Sequence, residues 1–234
     1  MAMVKRGKLI VIDGIDGSGK ATQAALLAKH LKRIGVPVRS IDFPRYEDNF
    51  FGTLIAECLR GEHGDFISLP PKIASVLYAA DRFESRGQIT DWPSKGYVVV
   101  SDRYTTSSQI HQVAKVRDRK EAKQLLAWLE EMEYGIFKLP RPDAVVYLDV
   151  PADVSWKLLQ EVMQKKKYLK GKGDQAELNR VHQEHARKNA LSIIRTNDTW
   201  VTVNCIKMNA MRSIEEIHQE IIERVTKRFR FRRA

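Results

Sequence analysis

Lys8-Leu9-Ile10-Val11-Ile12-Asp13-Gly14-Ile15-Asp16-Gly17-Ser18-Gly19-Lys20-Ala21-Thr22 sets the architecture of the whole chain. KLIVID is a short β-branched apolar run and predicts a strand. Residues 20–34 carry Ala24, Leu27, Ala28 and Leu31 at helical spacing, and Gly35 stops the pattern. Between strand and helix lies GxxxxGK, the context a phosphate cradle requires. Its glycines let backbone N–H groups turn inward around an anion without Cβ clashes. The helix behind it points a partially positive N-terminus at the same place. Gly14, Ile15, Asp16, Gly17, Ser18, Gly19, Lys20, Ala21 and Thr22 are therefore the candidate phosphate-binding residues, with Lys20 placed to reach the outer phosphates.

Outward from this unit, strand-like and helix-like segments alternate. Further strands are expected at 36–43, 97–101, 143–150 and 199–206. Helices are expected at 49–60, 71–86, 105–115, 120–134, 152–165, 177–195 and 213–228. Apolar strands such as YVVVS and DAVVYLDV lack alternation, as strands buried on both faces do. The pattern predicts one doubly wound α/β domain over 1–234: a five-stranded parallel sheet with helices on both faces, three layers in all. Ligands in such sheets bind beyond the carboxyl ends of the strands. Asp102 and Arg103 stand just past the strand YVVVS, a carboxylate suited to a metal and a guanidinium suited to phosphate.

Composition bounds the rest. The 234 residues are 43% hydrophobic and 29% charged, an ordinary globular balance. No apolar run approaches the ~20 residues of a membrane span, and the first six residues leave no room before the first strand for a secretory signal. Two cysteines, Cys58 and Cys205, exclude a disulfide framework and suit a cytoplasmic protein. The net charge of +11 gathers in a basic segment at about 164–176 and a tail at 227–234. Neither sits in a nucleic-acid-binding module, so the excess is assigned to small polyanionic ligands rather than nucleic acid.

Four motifs then converge: GIDGSGK at 14–20, FPRY at 43–46, LYAADR at 77–82 and DRYTTSSQIHQ at 102–112. In order and spacing the chain resembles the thymidylate kinase family, P-loop nucleoside monophosphate kinases, over about 8–224. The resemblance implies a P-loop kinase fold and transfer of the γ-phosphate of ATP to dTMP, with Mg²⁺. It assigns Lys20, Arg45, Asp16 and Arg103 to catalysis. Asp16, Phe43, Arg45, Tyr46, Tyr78, Arg82, Arg103, Ser107, Ser108 and His111 are assigned to dTMP, and Asp16 and Asp102 to the metal, directly or through water. Tyr78 takes a position where the family carries Phe stacked on the base, and the ring face serves equally. Arg82 would donate to the pyrimidine 4-oxo group and disfavour a 4-amino group. The family also implies a homodimer, with the apolar face of 73–78 and the helix of Trp128 as candidate contacts.

Three departures qualify the resemblance. Ala21 lacks the hydroxyl that usually follows the lysine, and Thr22 lies about 100° further round the helix. His111 replaces an aromatic residue, often Tyr, beside the sugar 2′ position, so weaker exclusion of ribose is expected. The segment at 164–176 carries lysines where the family's mobile lid commonly has arginines. These departures leave alternatives: a kinase for another pyrimidine monophosphate such as dUMP, or a catalytically weak nucleotide-binding relative.

Overall fold

In the computed structural model, residues 6–163, 180–208 and 210–231 are described. The basic lid expected at 164–176 lies outside them, as does the tail beyond Phe231. Five strands form the central sheet: β1 (Leu9–Gly14), β2 (Val38–Asp42), β3 (Val98–Asp102), β4 (Ala144–Asp149) and β5 (Trp200–Asn204). Their order is β2-β3-β1-β4-β5 and every pairing is parallel. β1 is buried along its entire length.

Period-2 geometry sends alternate residues to opposite layers. Leu9, Val11, Val99, Val145 and Tyr147 share one core with Ile110, Ala186, Ala190 and Trp200. Ile10, Ile12, Val100, Val146 and Leu148 share the other with Leu27, Leu31, Ile217, Ile221 and Val225. The first layer includes α5 (Thr105–His111) and α8 (Arg180–Ile194). The second holds α1 (Lys20–Arg33) and α9 (Ile214–Phe229). Each fully buried aliphatic contributes about 1.5–3 kcal/mol, so the interleaved cores fix the register. That register sets Asp42 beside Asp102 on neighbouring strands, and Asp102 opposite Ile12. Carboxylates thus crowd the carboxyl edge, where the loop after β1 emerges.

Away from the sheet, α2 (Phe50–Leu59) packs with α3 (Pro71–Glu84) around Ile55, Leu59, Phe66 and Ala74. α3 also meets α6 (Arg119–Glu130) through Ala79, Leu125 and Leu129. α7 (Ala152–Met163) follows β4.

The structure refines four sequence boundaries. The helix expected at 71–86 breaks at Ser85, and a separate α4 (Arg86–Ser94) ends around Pro93. The helix expected at 105–115 ends at His111, with a 3₁₀ turn following at Val113–Lys115. The helix expected at 120–134 gives way to a π-helical turn, Glu131–Ile136. An unexpected two-stranded ribbon, β6 (Ile206–Lys207) with β7 (Ala210–Met211), precedes α9. Each of these is too short to carry a periodic signal of its own.

Candidate active site

The loop after β1 turns through Gly17 and Gly19, at φ 77° and 87°, a region that L side chains rarely adopt. A Cβ on Gly17 would also meet the Ser155 carbonyl oxygen at 2.4 Å, because α7 lies against the loop. α1 begins at Lys20 with no acidic residue in its own first turn to neutralise the positive end of the helix. Lys20 is 5% exposed, donates from Nζ to the Ile15 carbonyl at 2.7 Å, and lies 3.9 Å from Asp16 Oδ1. Burial, helped by Arg103, lowers its pKa to about 8, against the pull of Asp16, Asp102 and Asp13.

Asp16 is held from two sides. Arg103 Nη2 donates to Oδ1, and Gln183 Nε2 donates to Oδ2 at 2.7 Å. The Asp16 backbone N–H returns a bond to Gln183 Oε1 at 3.1 Å. Burial alone would raise this carboxyl. Arg103, His111 and Lys20 outweigh it and hold the pKa well below the usual range. Arg103 reaches Asp16 from a left-handed turn, φ 62°, tied by its N–H to the Ile12 carbonyl at 3.0 Å. A non-glycine residue held in that region marks a position the surroundings over-determine.

Asp102 carries the clearest signal for a ligand. Its Oδ1 is buried and has no hydrogen-bond partner among the described residues. Burial raises its pKa to about 6, against Arg103 and Lys20, with Asp13 and Asp42 adding repulsion. An orphaned buried carboxylate oxygen among phosphate-binding groups fits a hard cation or its water shell.

At the other end, α3 presents Tyr78 and Arg82, one turn apart. Tyr78 tilts against Phe66, ring centroids 5.9 Å apart. Arg82 is 2% exposed. It pairs with Glu133 through Nε at 2.9 Å and Nη2 at 2.5 Å, with Ser108 Oγ at 2.9 Å and with the Tyr104 carbonyl at 3.3 Å. Asp13, fully buried at the end of β1, accepts from Thr106 at 2.5 Å and Ser107 at 2.9 Å, anchoring the start of α5. His111 closes the middle. Its Nε2 is buried without a partner among the described residues, and its ring meets His182 at 5.8 Å. Burial, with Arg103, His182 and Lys20, drops its pKa to about 3 against the opposing pull of Asp16, so the ring is neutral at physiological pH.

One cleft of about 700 Å³ is lined by Asp16–Thr22, Phe43, Tyr46, Tyr78, Arg82, Asp102, Arg103, Ser107, Ser108 and His111. Gly14 and Ile15 are buried and do not line it. Arg45 is not brought into the cleft. Its guanidinium binds Asp48 at 2.8 Å and Gln88 at 3.1 Å, and its Nε is buried without a partner among the described residues. Sequence reasoning missed Asp13, Gln183, Glu133 and His182. Asp13, a charge ending an apolar strand, was the only one with a local signal. Asn189 spans α8 and α5 by donating to the Gln109 and Ile110 carbonyls at 2.7 and 2.9 Å.

A phosphate loop, a lysine and a carboxylate at one end of a cleft, with an arginine-and-tyrosine pocket at the other, define a P-loop phosphotransferase acting on two bound nucleotides. The sequence model of the family described as thymidylate kinase matches residues 12–221. The chain is 33% identical over 219 residues to a "probable thymidylate kinase" of Pyrococcus abyssi, covering 93% of this chain and 95% of that one. Against the thymidylate kinase of Plasmodium falciparum it is 29% identical over 225 residues, covering 95% and 91%. Among solved structures, the thymidylate kinase of Candida albicans matches with a TM-score of 0.69 at 27% identity, over 95% of this chain and 94% of that one. The chain belongs to the thymidylate kinase family. It is an ATP-dependent dTMP kinase, transferring the γ-phosphate to give dTDP and ADP.

Proposed function

We propose that the two ends of this cleft hold the two substrates, with ATP on the loop 14–22 and dTMP between Arg103 and Arg82. The observation that carries this is the shared cleft itself: Lys20, Arg103 and Arg82 open onto one space. Phosphoryl transfer is chiefly positioning and charge stabilisation. Lys20 meets the transferring phosphate, and Arg103 steadies the acceptor phosphate while orienting Asp16 toward the sugar. Arg45 leaves Asp48 and Gln88 to join them, its orphaned Nε favouring the swing. Phe43 and Tyr46 border the acceptor phosphate, Tyr78 stacks on the base, and Ser107 and Ser108 lie beside it. No general base is required because the acceptor is an ionised phosphate, and the neutral His111 lines the sugar.

Mg²⁺ is the implied cofactor. Asp102 fits it through its orphaned oxygen, and Asp16 fits through water because both its oxygens already have partners. When bound, the ion would neutralise phosphate oxygens. Asp102 has a thermodynamic signature of its own. A pKa raised from 3.8 to about 6 disfavours the ionised form in the fold by about 3 kcal/mol. Its stability is greatest, in this respect, below the unfolded pKa and is lost as pH rises through about 6. Without metal or nucleotide, Asp102→Asn is therefore expected to melt higher at pH 7.5, with the gain roughly halved at pH 5. Equal melting temperatures at both pH values would show that Asp102 is not buried as a charge.

The chain is further proposed to act in the cytoplasm, as a single domain and a homodimer. Ile73, Val76 and Phe83 form an exposed stripe along α3, with Phe50 exposed on α2. Lys72 Nζ lies 5.3 Å from the Trp128 ring centre, tying α6 to the same side. Sedimentation at monomer mass would refute the dimer.

The deciding experiment is ADP release with ATP, Mg²⁺ and a panel of dTMP, dUMP, UMP and dCMP. Preference for dTMP is expected, with a reduced penalty for ribose because of His111. No signal above background would favour the inactive relative suggested by Ala21. Preference for UMP or dCMP would overturn the dTMP site.

A further inference from the structure

Glu133 is a buried carboxylate, 1% exposed, that the phosphate chemistry does not use. It sits on the π-helical turn Glu131–Ile136 after α6. Such turns are rare and frequent at functional sites. Two consecutive side chains of this turn act inward. Glu133 accepts from Arg82 on α3, and the Tyr134 hydroxyl pairs with Thr105 Oγ1 on α5 at 2.6 Å. The turn therefore braces both helices that carry the base pocket.

Arg82 has five N–H donors. Glu133 takes two, Ser108 one and the Tyr104 carbonyl one. One Nη1 N–H is uncommitted among the described residues, and Arg82 borders the cleft. A buried ion pair is poor stabilising material, since apolar residues of similar volume serve a core as well or better. What it does supply here is a guanidinium fixed on two edges, with its charge compensated. Arg82 then brings one uncommitted donor to the base end of the cleft rather than an uncompensated cation competing for phosphate.

We propose that Glu133 is the positioning residue for pyrimidine recognition, holding Arg82 so that its one free N–H meets a 4-oxo group and misfits a 4-amino group. This rests on the reading of Arg82 as the base contact. The test uses the full-length chain with Glu133→Gln and the conservative Glu133→Asp. kcat/KM is measured for dTMP and dCMP at saturating ATP, and melting temperature is recorded alongside. In the Gln variant the dTMP/dCMP ratio is expected to fall at least about tenfold, through a higher KM for dTMP, with the KM for ATP within about twofold. Glu133→Asp, which keeps the charge, retains part of the ratio. A lower melting temperature with an unchanged ratio in both variants overturns the proposal and leaves Glu133 a packing residue.

Should neither variant fold, a crystal structure of the wild type with dTMP decides. Arg82 keeping both Glu133 contacts while donating from Nη1 to the base supports the proposal, and Arg82 releasing Glu133 to bind overturns it. Wild type that turns over no dTMP at all would instead overturn the assignment of the acceptor site.

Discussion

Lys20→Met is expected to lower kcat for dTMP by about 10²–10³ and, at the same time, to raise the melting temperature near neutral pH. The two effects share one cause. Lys20 is an ammonium enclosed by the loop at 5% exposure, with a backbone carbonyl as its nearest partner. Its pKa falls from 10.5 to about 8, chiefly through burial. That drop disfavours the charged form in the fold by about 3 kcal/mol. The sign is that of a depressed cation: the penalty is full below about pH 8 and fades as pH rises toward 10.5. An incoming polyphosphate reverses the balance, because the ammonium then has anionic partners in a water-poor site where their attraction is strong. Methionine keeps the volume and removes both penalty and function. Its thermal gain should therefore be present at pH 7 and about half as large at pH 9.5, while turnover is lost at both. A kcat within tenfold of wild type would remove Lys20 from the transfer step. A destabilised variant at pH 7 would show that the enclosed charge is compensated better than its depressed pKa implies.

The sheet and the phosphate loop were legible because each rests on a local rule. Short β-branched apolar runs such as those at 97–101 and 143–150 suit strands buried on both sides, and GxxxxGK between a strand and a helix implies a phosphate-loop backbone. The buried carboxylate with the unpartnered oxygen was legible for a similar reason: Asp102 ends such a run. The supports behind the site were not. Gln183 holds Asp16 across 167 residues, and Glu133 holds Arg82 across 51. Each is one polar residue in an amphipathic segment, where a solvated position is the ordinary expectation. The π-helical turn that carries Glu133 has no sequence period of its own. Arg45 illustrates a different limit. Motif position put it at the phosphates, while Asp48 and Gln88 engage its guanidinium here, and no sequence pattern marks which partners such an arginine takes.

Arg82→Ala is expected to destabilise the fold by about 3–5 kcal/mol, roughly 10 °C in melting temperature for a chain of this size, and to lose dTMP turnover more than ATP binding. Truncation removes the cation from a pair at 2.5 Å and leaves Glu133 buried with no opposite charge. Burial already raises the Glu133 pKa against the pull of Arg82, and without Arg82 it rises further. A carboxyl raised in the fold costs stability above its folded pKa and regains it as pH falls. The gap between wild type and variant should therefore narrow toward pH 5. A paired substitution separates packing from recognition. Arg82→Met combined with Glu133→Leu replaces the ion pair by apolar groups of similar reach, and such replacements are often neutral or stabilising. That double variant should recover most of the melting temperature and little of the dTMP kcat/KM, because the proposed donor to the 4-oxo group is still missing. Recovery of both would mean that the arginine serves only the core. Recovery of neither would mean that the hydrogen bonds to Ser108 and the Tyr104 carbonyl, rather than the pair with Glu133, hold α3 to α5.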